Sequence, residues 1–227
     1  MLGRLVDRAL QNAGFDPRTS SYLRFDLRRL YTRLRHHRRP ISQNIPKLQL
    51  GAGRRSCKGW LNCDITASEF DIDLAVTPLP FTADQFTDII AQQVIEHLEY
   101  DPVVLDLLRD CHRILRHGGR IWLSCPDLET MCRAYMTDRC RTIDRGLKRH
   151  WPHGSLQDFP VQHRINYYFH QGGEHRNLMD FEMLDWALRH AGFREIRRVR
   201  EADLLAAYPE FPPRNDDFES LYVTAIK

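Results

Sequence analysis

Lys47-Leu-Gln-Leu-Gly-Ala-Gly53, followed by Trp60-Leu-Asn-Cys-Asp64, is the stretch on which the fold turns. Lys47 to Leu50 reads as a short strand running into a glycine turn, and Trp60 to Asp64 as a second strand that ends in a carboxylate. Glycines at 51 and 53 let the backbone take positive φ and approach a ligand closely. In an open α/β sheet, ligands bind outside the carboxyl ends of the strands, and a carboxylate closing the next strand can accept hydrogen bonds from two ribose hydroxyls. Read alone, Gly-x-Gly also fits an ordinary tight turn and Asp64 an ordinary turn cap. Only residues 54–59 separate the two segments. A parallel crossover normally takes about a dozen residues, so the first crossover helix is expected to be truncated or absent.

Working outward, the spacing predicts further strands at Phe70–Asp73, Thr87–Gln93, Arg120–Cys125, Arg194–Arg198 and Leu221–Ile226. Asp101 to Arg116 reads as a helix with Leu105, Leu108, Cys111, His112 and Leu115 on its inner face, closed by Gly118-Gly119. Asp180 to His190 reads as another, closed by Gly192. Strands alternating with helices predict an α/β, Rossmann-like, doubly wound sheet of seven mostly parallel strands with helices on both faces. Residues 128–177 are rich in Arg, His and aromatics, with a possible helix from Met131 to Arg149; a stretch of this length between core elements suits a lid-like insertion. The domain plan is therefore a basic helical arm (1–46) and a main domain (47–227).

The charge is uneven. Residues 1–47 hold 11 Lys/Arg against 3 Asp/Glu, a net of +8, although the chain as a whole carries +3. Leu23, Leu27, Leu30, Tyr31 and Leu34 share one helical face, with Arg24, Arg28, Arg35, Arg38 and Arg39 largely elsewhere, and Pro40 and Pro46 stop the helix. The plain expectation is that the leucines lie on the domain and the basic side faces water. The alternative is a surface for anionic membrane lipid or a phosphorylated substrate. Nucleic acid fits poorly, because no nucleic-acid motif or aromatic interleaving accompanies the charge. No secretory signal or membrane-spanning run is read, which predicts a cytoplasmic, at most membrane-peripheral, protein. Six scattered cysteines without a C-x-x-C pair read as free thiols. His150, His153, His163, His170 and His175 follow no standard ligand spacing, so no metal site is expected.

Seven segments then resemble one family in order and spacing: Leu48-Gln-Leu-Gly-Ala-Gly53, Gly59-Trp-Leu-Asn-Cys-Asp64, Pro78-Leu-Pro-Phe81, Val94-Ile-Glu-His-Leu98, Ile114-Leu-Arg-His-Gly-Gly-Arg120, Pro126-Asp-Leu-Glu129 and Leu188-Arg-His-Ala-Gly-Phe193. From about residue 47 onward the chain is similar to class I S-adenosylmethionine-dependent methyltransferases, closest to small bacterial ones associated with surface-polysaccharide synthesis. The resemblance implies S-adenosyl-L-methionine as cofactor. It would place Gly51, Ala52 and Gly53 along the methionine part, Asp64 on the ribose, Asp73 and Leu74 beside the adenine, and Gln92 and Gln93 by the sulfonium. Two positions depart from the usual pattern: Gln49 where an acidic residue is frequent, and Arg55 where a third glycine is usual.

Methyl transfer from a sulfonium chiefly needs alignment and exclusion of water, and a hydroxyl acceptor must also lose a proton. His97 is the first candidate base, oriented by Glu96, with His175 the second; capping of a turn by Glu96 and His97 is the bland alternative. Asp127, His175 and Arg176 are candidates for contacting the acceptor. No Asn/Asp-Pro-Pro-Tyr signature follows the fourth strand, which favours a small-molecule or glycan hydroxyl over adenine or glutamine nitrogen. Two rival functions remain. One is a methyltransferase-like binding module without catalysis, suggested by Gln49 and Arg55. The other is an NAD-dependent oxidoreductase, whose fingerprint needs a third glycine where Ser56 stands.

Overall fold

The apolar runs pair as neighbours in one sheet. The computed structural model describes residues 10, 12–15, 17–36, 45–65, 68–150, 159–160 and 162–227. The strands are β1 (Lys47–Leu50), β2 (Leu61–Asp64), β3 (Phe70–Asp71), β4 (Phe86–Gln92), β5 (Leu115–Pro126), β6 (Arg194–Val199) and β7 (Ser220–Ile226). They lie in the order β3-β2-β1-β4-β5-β7-β6. Strands β1 to β5 pair in parallel, and β7 inserts antiparallel between β5 and β6. Leu48, Leu50, Ile89, Ile90, Ile121 and Leu123 are all buried. A parallel strand covered on both faces reads as a continuous apolar run, not an alternating one.

One face is covered by α2 (Leu105–Ile114) and α6 (Phe181–His190), whose Leu108, Cys111, Ile114, Leu184 and Leu188 join the main core. Asp180 caps α6 by accepting the Met183 N–H at 2.9 Å, and Gly192, at φ +103°, ends it. The other face carries a smaller aromatic cluster of Trp60, Trp122, Tyr208, Phe211 and Tyr222 with Leu204 of α7 (Glu201–Ala207). The β1–β2 link is a chain of turns with no helix, as its length predicts. Its Trp60 fills the space edge-on to Tyr208 and Phe211, at 5.1 and 4.9 Å between ring centres.

The insertion holds α3 (Leu128–Asp138), α4 (Arg141–His150) and α5 (Gln162–His170). The single helix expected over 131–149 is broken because Arg139 and Cys140 both take positive φ. Met131, Cys140, Ile143, Leu147 and Tyr168 form a separate small core there. Sequence periodicity did not announce α5 or α7.

The arm contributes α1 (Pro17–His36). It sits opposite to expectation: Leu23, Leu27, Leu30 and Leu34 are 45–65% exposed. Its polar side meets the domain instead. Arg29 and Arg33 both donate from Nε to Oδ2 of buried Asp73, at 3.0 and 2.8 Å, and buried Thr32 donates to the Ile65 carbonyl at 2.6 Å. A buried carboxylate requires paired charge, and that requirement overrides the preference of a leucine stripe for cover. Arg38, Arg39, Pro40 and His153 lie outside the described residues, as do the side chains of Arg24, Arg35 and His150. Among the described residues, no helix is long and apolar enough to cross a membrane.

Candidate active site

The strand order reverses between β1 and β4, and such a switch point opens a crevice at the strands' carboxyl ends. Gly51 leaves β1 there at φ +64°, and Gly53 follows at +53°. A Cβ on Gly51 would stand 2.2 Å from Val94 Cγ2, so the loop is pressed against the end of β4 as closely as glycine permits. The Gly53 N–H donates to Asp64 Oδ2 at 2.7 Å, and the Ile65 N–H to Asp64 Oδ1 at 2.6 Å. Loop and carboxylate thus converge. Ala52 is buried beneath them, its N–H on the Cys63 carbonyl.

The two unusual positions brace this loop. Buried Gln49 donates to the Arg55 carbonyl at 3.1 Å. Arg55 turns away to the carbonyls of Pro212 and Pro213, at 2.7 and 2.8 Å.

A cleft of about 1160 Å³ opens at this point. Of the residues singled out in the sequence, Gly51, Asp64, Asp73, Leu74, Gln93, His97 and Arg176 line it. Gln93, at positive φ, is held by its Nε2 donating to Ser220 Oγ at 2.9 Å. Gln92 is not in the lining. Asp127 is also elsewhere: it is fully buried, caps α3 through the Glu129 N–H, accepts from Thr130 and pairs with Arg198. Its oxygens are committed to structure, which removes it from acceptor binding. The sequence reading missed Tyr22, Phe25, Arg28 and Arg29, which make α1 a wall of the cleft. The Arg29 and Arg33 spacing, one helical turn apart, was the available signal.

Beyond Val94 the chain makes a short 3₁₀ turn, Ile95–His97. A distant segment is strapped onto it. The N–H groups of Arg176 and Asn177 donate to the Glu96 carbonyl at 2.8 and 3.3 Å, and Asn177 Nδ2 donates to the carbonyls of Ile95 and Leu98. This strap sets the His175 ring edge-on to His97, 5.0 Å between centres. His97 Nδ1 donates to the Glu174 carbonyl at 3.2 Å, and His175 Nδ1 to the Tyr168 carbonyl at 2.6 Å. Carbonyls only accept, so both neutral rings carry the proton on Nδ1 and leave Nε2 with a lone pair. Burial holds both imidazoles below the usual histidine range. Glu96 is 1% exposed, and neither carboxylate oxygen has a hydrogen-bond donor among the described residues. Burial pushes its carboxyl up to about 8, against smaller opposing pulls from its own main chain and Arg214. The sequence therefore coupled Glu96 with His97 but did not bring His175 to them.

Residues 57–123, under a third of the chain, match a family model described as a methyltransferase domain. The match begins after the Gly51–Gly53 turn and ends within β5. No curated protein matches the chain. Among solved structures, a S-adenosylmethionine-dependent methyltransferase from Archaeoglobus fulgidus is similar at 15% identity, over 88% of this chain and 94% of that one, with a TM-score of 0.48. A Haemonchus contortus phosphoethanolamine N-methyltransferase in complex with S-adenosyl-L-methionine is similar at 14% identity, over 88% and 52%, with a TM-score of 0.46. A Mesorhizobium loti methyltransferase gives 17%, 82% and 93%, and 0.44. The sheet order is that of a Rossmann-like α/β fold, and within it residues 57–123 match the methyltransferase domain model.

Proposed function

We propose that the chain methylates a hydroxyl oxygen of a small-molecule or glycan acceptor. The observation that carries this reading is that Asp64, held by the Gly53 N–H, and His97 line one cleft. The residues suit the cofactor. A carboxylate offers about four lone-pair sites, and two backbone amides leave Asp64 with acceptor capacity for ribose hydroxyls. The cleft exceeds the roughly 300–1,000 Å³ usual for a small-molecule site, so cofactor and acceptor fit together. Gly51 and Gly53 would admit the methionine end and Leu74 would flank the adenine. S-adenosylmethionine supplies a methyl group on a sulfonium that leaves as a neutral thioether.

The chain's own residues then have two tasks. The first is to align the acceptor and keep out water, which the α1 wall and the Gln171–Glu174 edge of the insertion serve as a lid. The second is to take the hydroxyl proton, and His97 with its free Nε2 is placed for it, backed by Glu96 and His175. Arg28 and Arg176 stand on the rim beside Glu99, which pairs with Arg176 at 3.7 Å. The exposed leucine face of α1, in an arm of net +7, supports approach to an anionic membrane carrying a lipid-linked acceptor.

Calorimetric titration with S-adenosylhomocysteine tests the reading. Binding that weakens at least tenfold in Asp64→Ala is expected. Binding of NAD in its place would overturn it, cofactor binding without turnover on any acceptor would favour the inactive module, and a product methylated on nitrogen would overturn the oxygen assignment.

A further inference from the structure

We propose that Glu96, His97 and His175 form a binding site for a divalent first-row transition-metal cation. One ligand atom from each of the three lies within 4.8 Å of the others, and His97 Nε2 is 3.9 Å from Glu96 Oε1. Two imidazoles and one carboxylate are a donor set suited to zinc and its neighbours.

Two observations separate this corner from a chance cluster. The first is Glu96. A buried carboxyl group is neutralised by a proton, paired, hydrogen-bonded or metal-bound, and here neither oxygen has a donor among the described residues. A cation supplies the missing partner. The second is the tautomer of the histidines. Metal-binding histidines characteristically give their other N–H to a carbonyl or carboxylate, which fixes the ring and points the free nitrogen at the ion. His97 and His175 both do this, to Glu174 and Tyr168. A shell at about 2.1 Å holds its ligand atoms roughly 3.0–3.5 Å apart, so the three side chains draw together by about an ångström on loading.

Access is one-sided. His97 lines the cleft, whereas Glu96 and His175 are buried behind it. A seated cation therefore has its open positions toward the cleft. With the cation seated, His97 Nε2 is a ligand and no longer the base; the cation's charge instead lowers the cost of releasing the proton of an acceptor hydroxyl facing it to water in the cleft. That last consequence rests on the methyl-transfer reading; the binding itself does not.

The test uses the full chain, stripped with EDTA and titrated calorimetrically with Zn²⁺ alone. One equivalent per chain is expected, with affinity falling by more than about 100-fold in both Glu96→Gln and His175→Ala, and unchanged in His190→Ala and Cys132→Ser. Absence of binding, or binding undiminished in both ligand variants, overturns the proposal. A second measurement needs no variant: Zn²⁺ should protect His97 from diethylpyrocarbonate, read by mass spectrometry, while exposed His190 stays reactive. Equal modification of His97 with and without Zn²⁺ overturns it as well. S-adenosylhomocysteine binding to the stripped protein is read separately, so failure of the cation site and failure of the methyltransferase reading give different results.

Discussion

The two ends of the cleft are built by opposite logic. At the Gly51–Asp64 end, loop and carboxylate are neighbours in sequence, and backbone amides of Gly53 and Ile65 hold both carboxylate oxygens. At the Glu96–His175 end, the partners come from distant parts of the chain, and the carboxylate has no donor among the described residues. The first end is a finished cradle that needs only a ligand's hydroxyls. The second is held in shape by main-chain carbonyls around an unsatisfied centre. The difference teaches that a site's rigidity and its completeness are separate properties: the strap of Arg176 and Asn177 makes the corner rigid without completing it.

Four substitutions break or sharpen this contrast. The largest effect is expected from His97→Ala, which should lower turnover by about 10²- to 10⁴-fold while S-adenosylhomocysteine affinity stays within twofold; wild-type rates would reduce His97 to a turn residue. Gly51→Ala comes next. Its methyl would meet Val94 at positive φ, a cost of about 2–4 kcal/mol from overpacking and backbone strain, read as a lower Tm with loss of cofactor binding. An unshifted melt would mean that Val94 yields and the close approach is not required. Asp64→Ala should weaken S-adenosylhomocysteine at least tenfold, about 1.4 kcal/mol, without lowering turnover at saturation as His97→Ala does. The smallest effect is expected from Asp73→Asn. Its arginine partners are partly exposed, and such pairs contribute under about 1 kcal/mol each. Global stability should hardly move, while hydrogen exchange in α1 accelerates; unchanged exchange would show that Thr32 and Tyr22 alone hold the helix.

The cradle was legible because its determinants are local. A strand, two glycines, six residues and a strand ending in Asp64 can be read in a line, and the missing crossover helix follows from the count. The corner was legible only in parts: Glu96, His97 and His175 could each be named, but what unites them is the hydrogen bonding of Asn177 to a turn far upstream. Histidine spacing along the chain therefore argued against a metal where the folded geometry argues for one. Asp127 misled because an aspartate at a strand end serves equally well as a helix cap. Helix α1 misled because periodicity reports which side is apolar, not which side finds a partner. Here one buried charge on Asp73 decided the orientation.

Asp73 also works as a single fastening. Arg29 and Arg33 do not each have their own carboxylate oxygen; both hold Oδ2, while Oδ1 takes the Ala75 N–H. Two clasps on one pin release together. Whatever occupies that one atom frees both arginines in a single event rather than one by one, and leaves α1 on the Thr32 and Tyr22 hydrogen bonds.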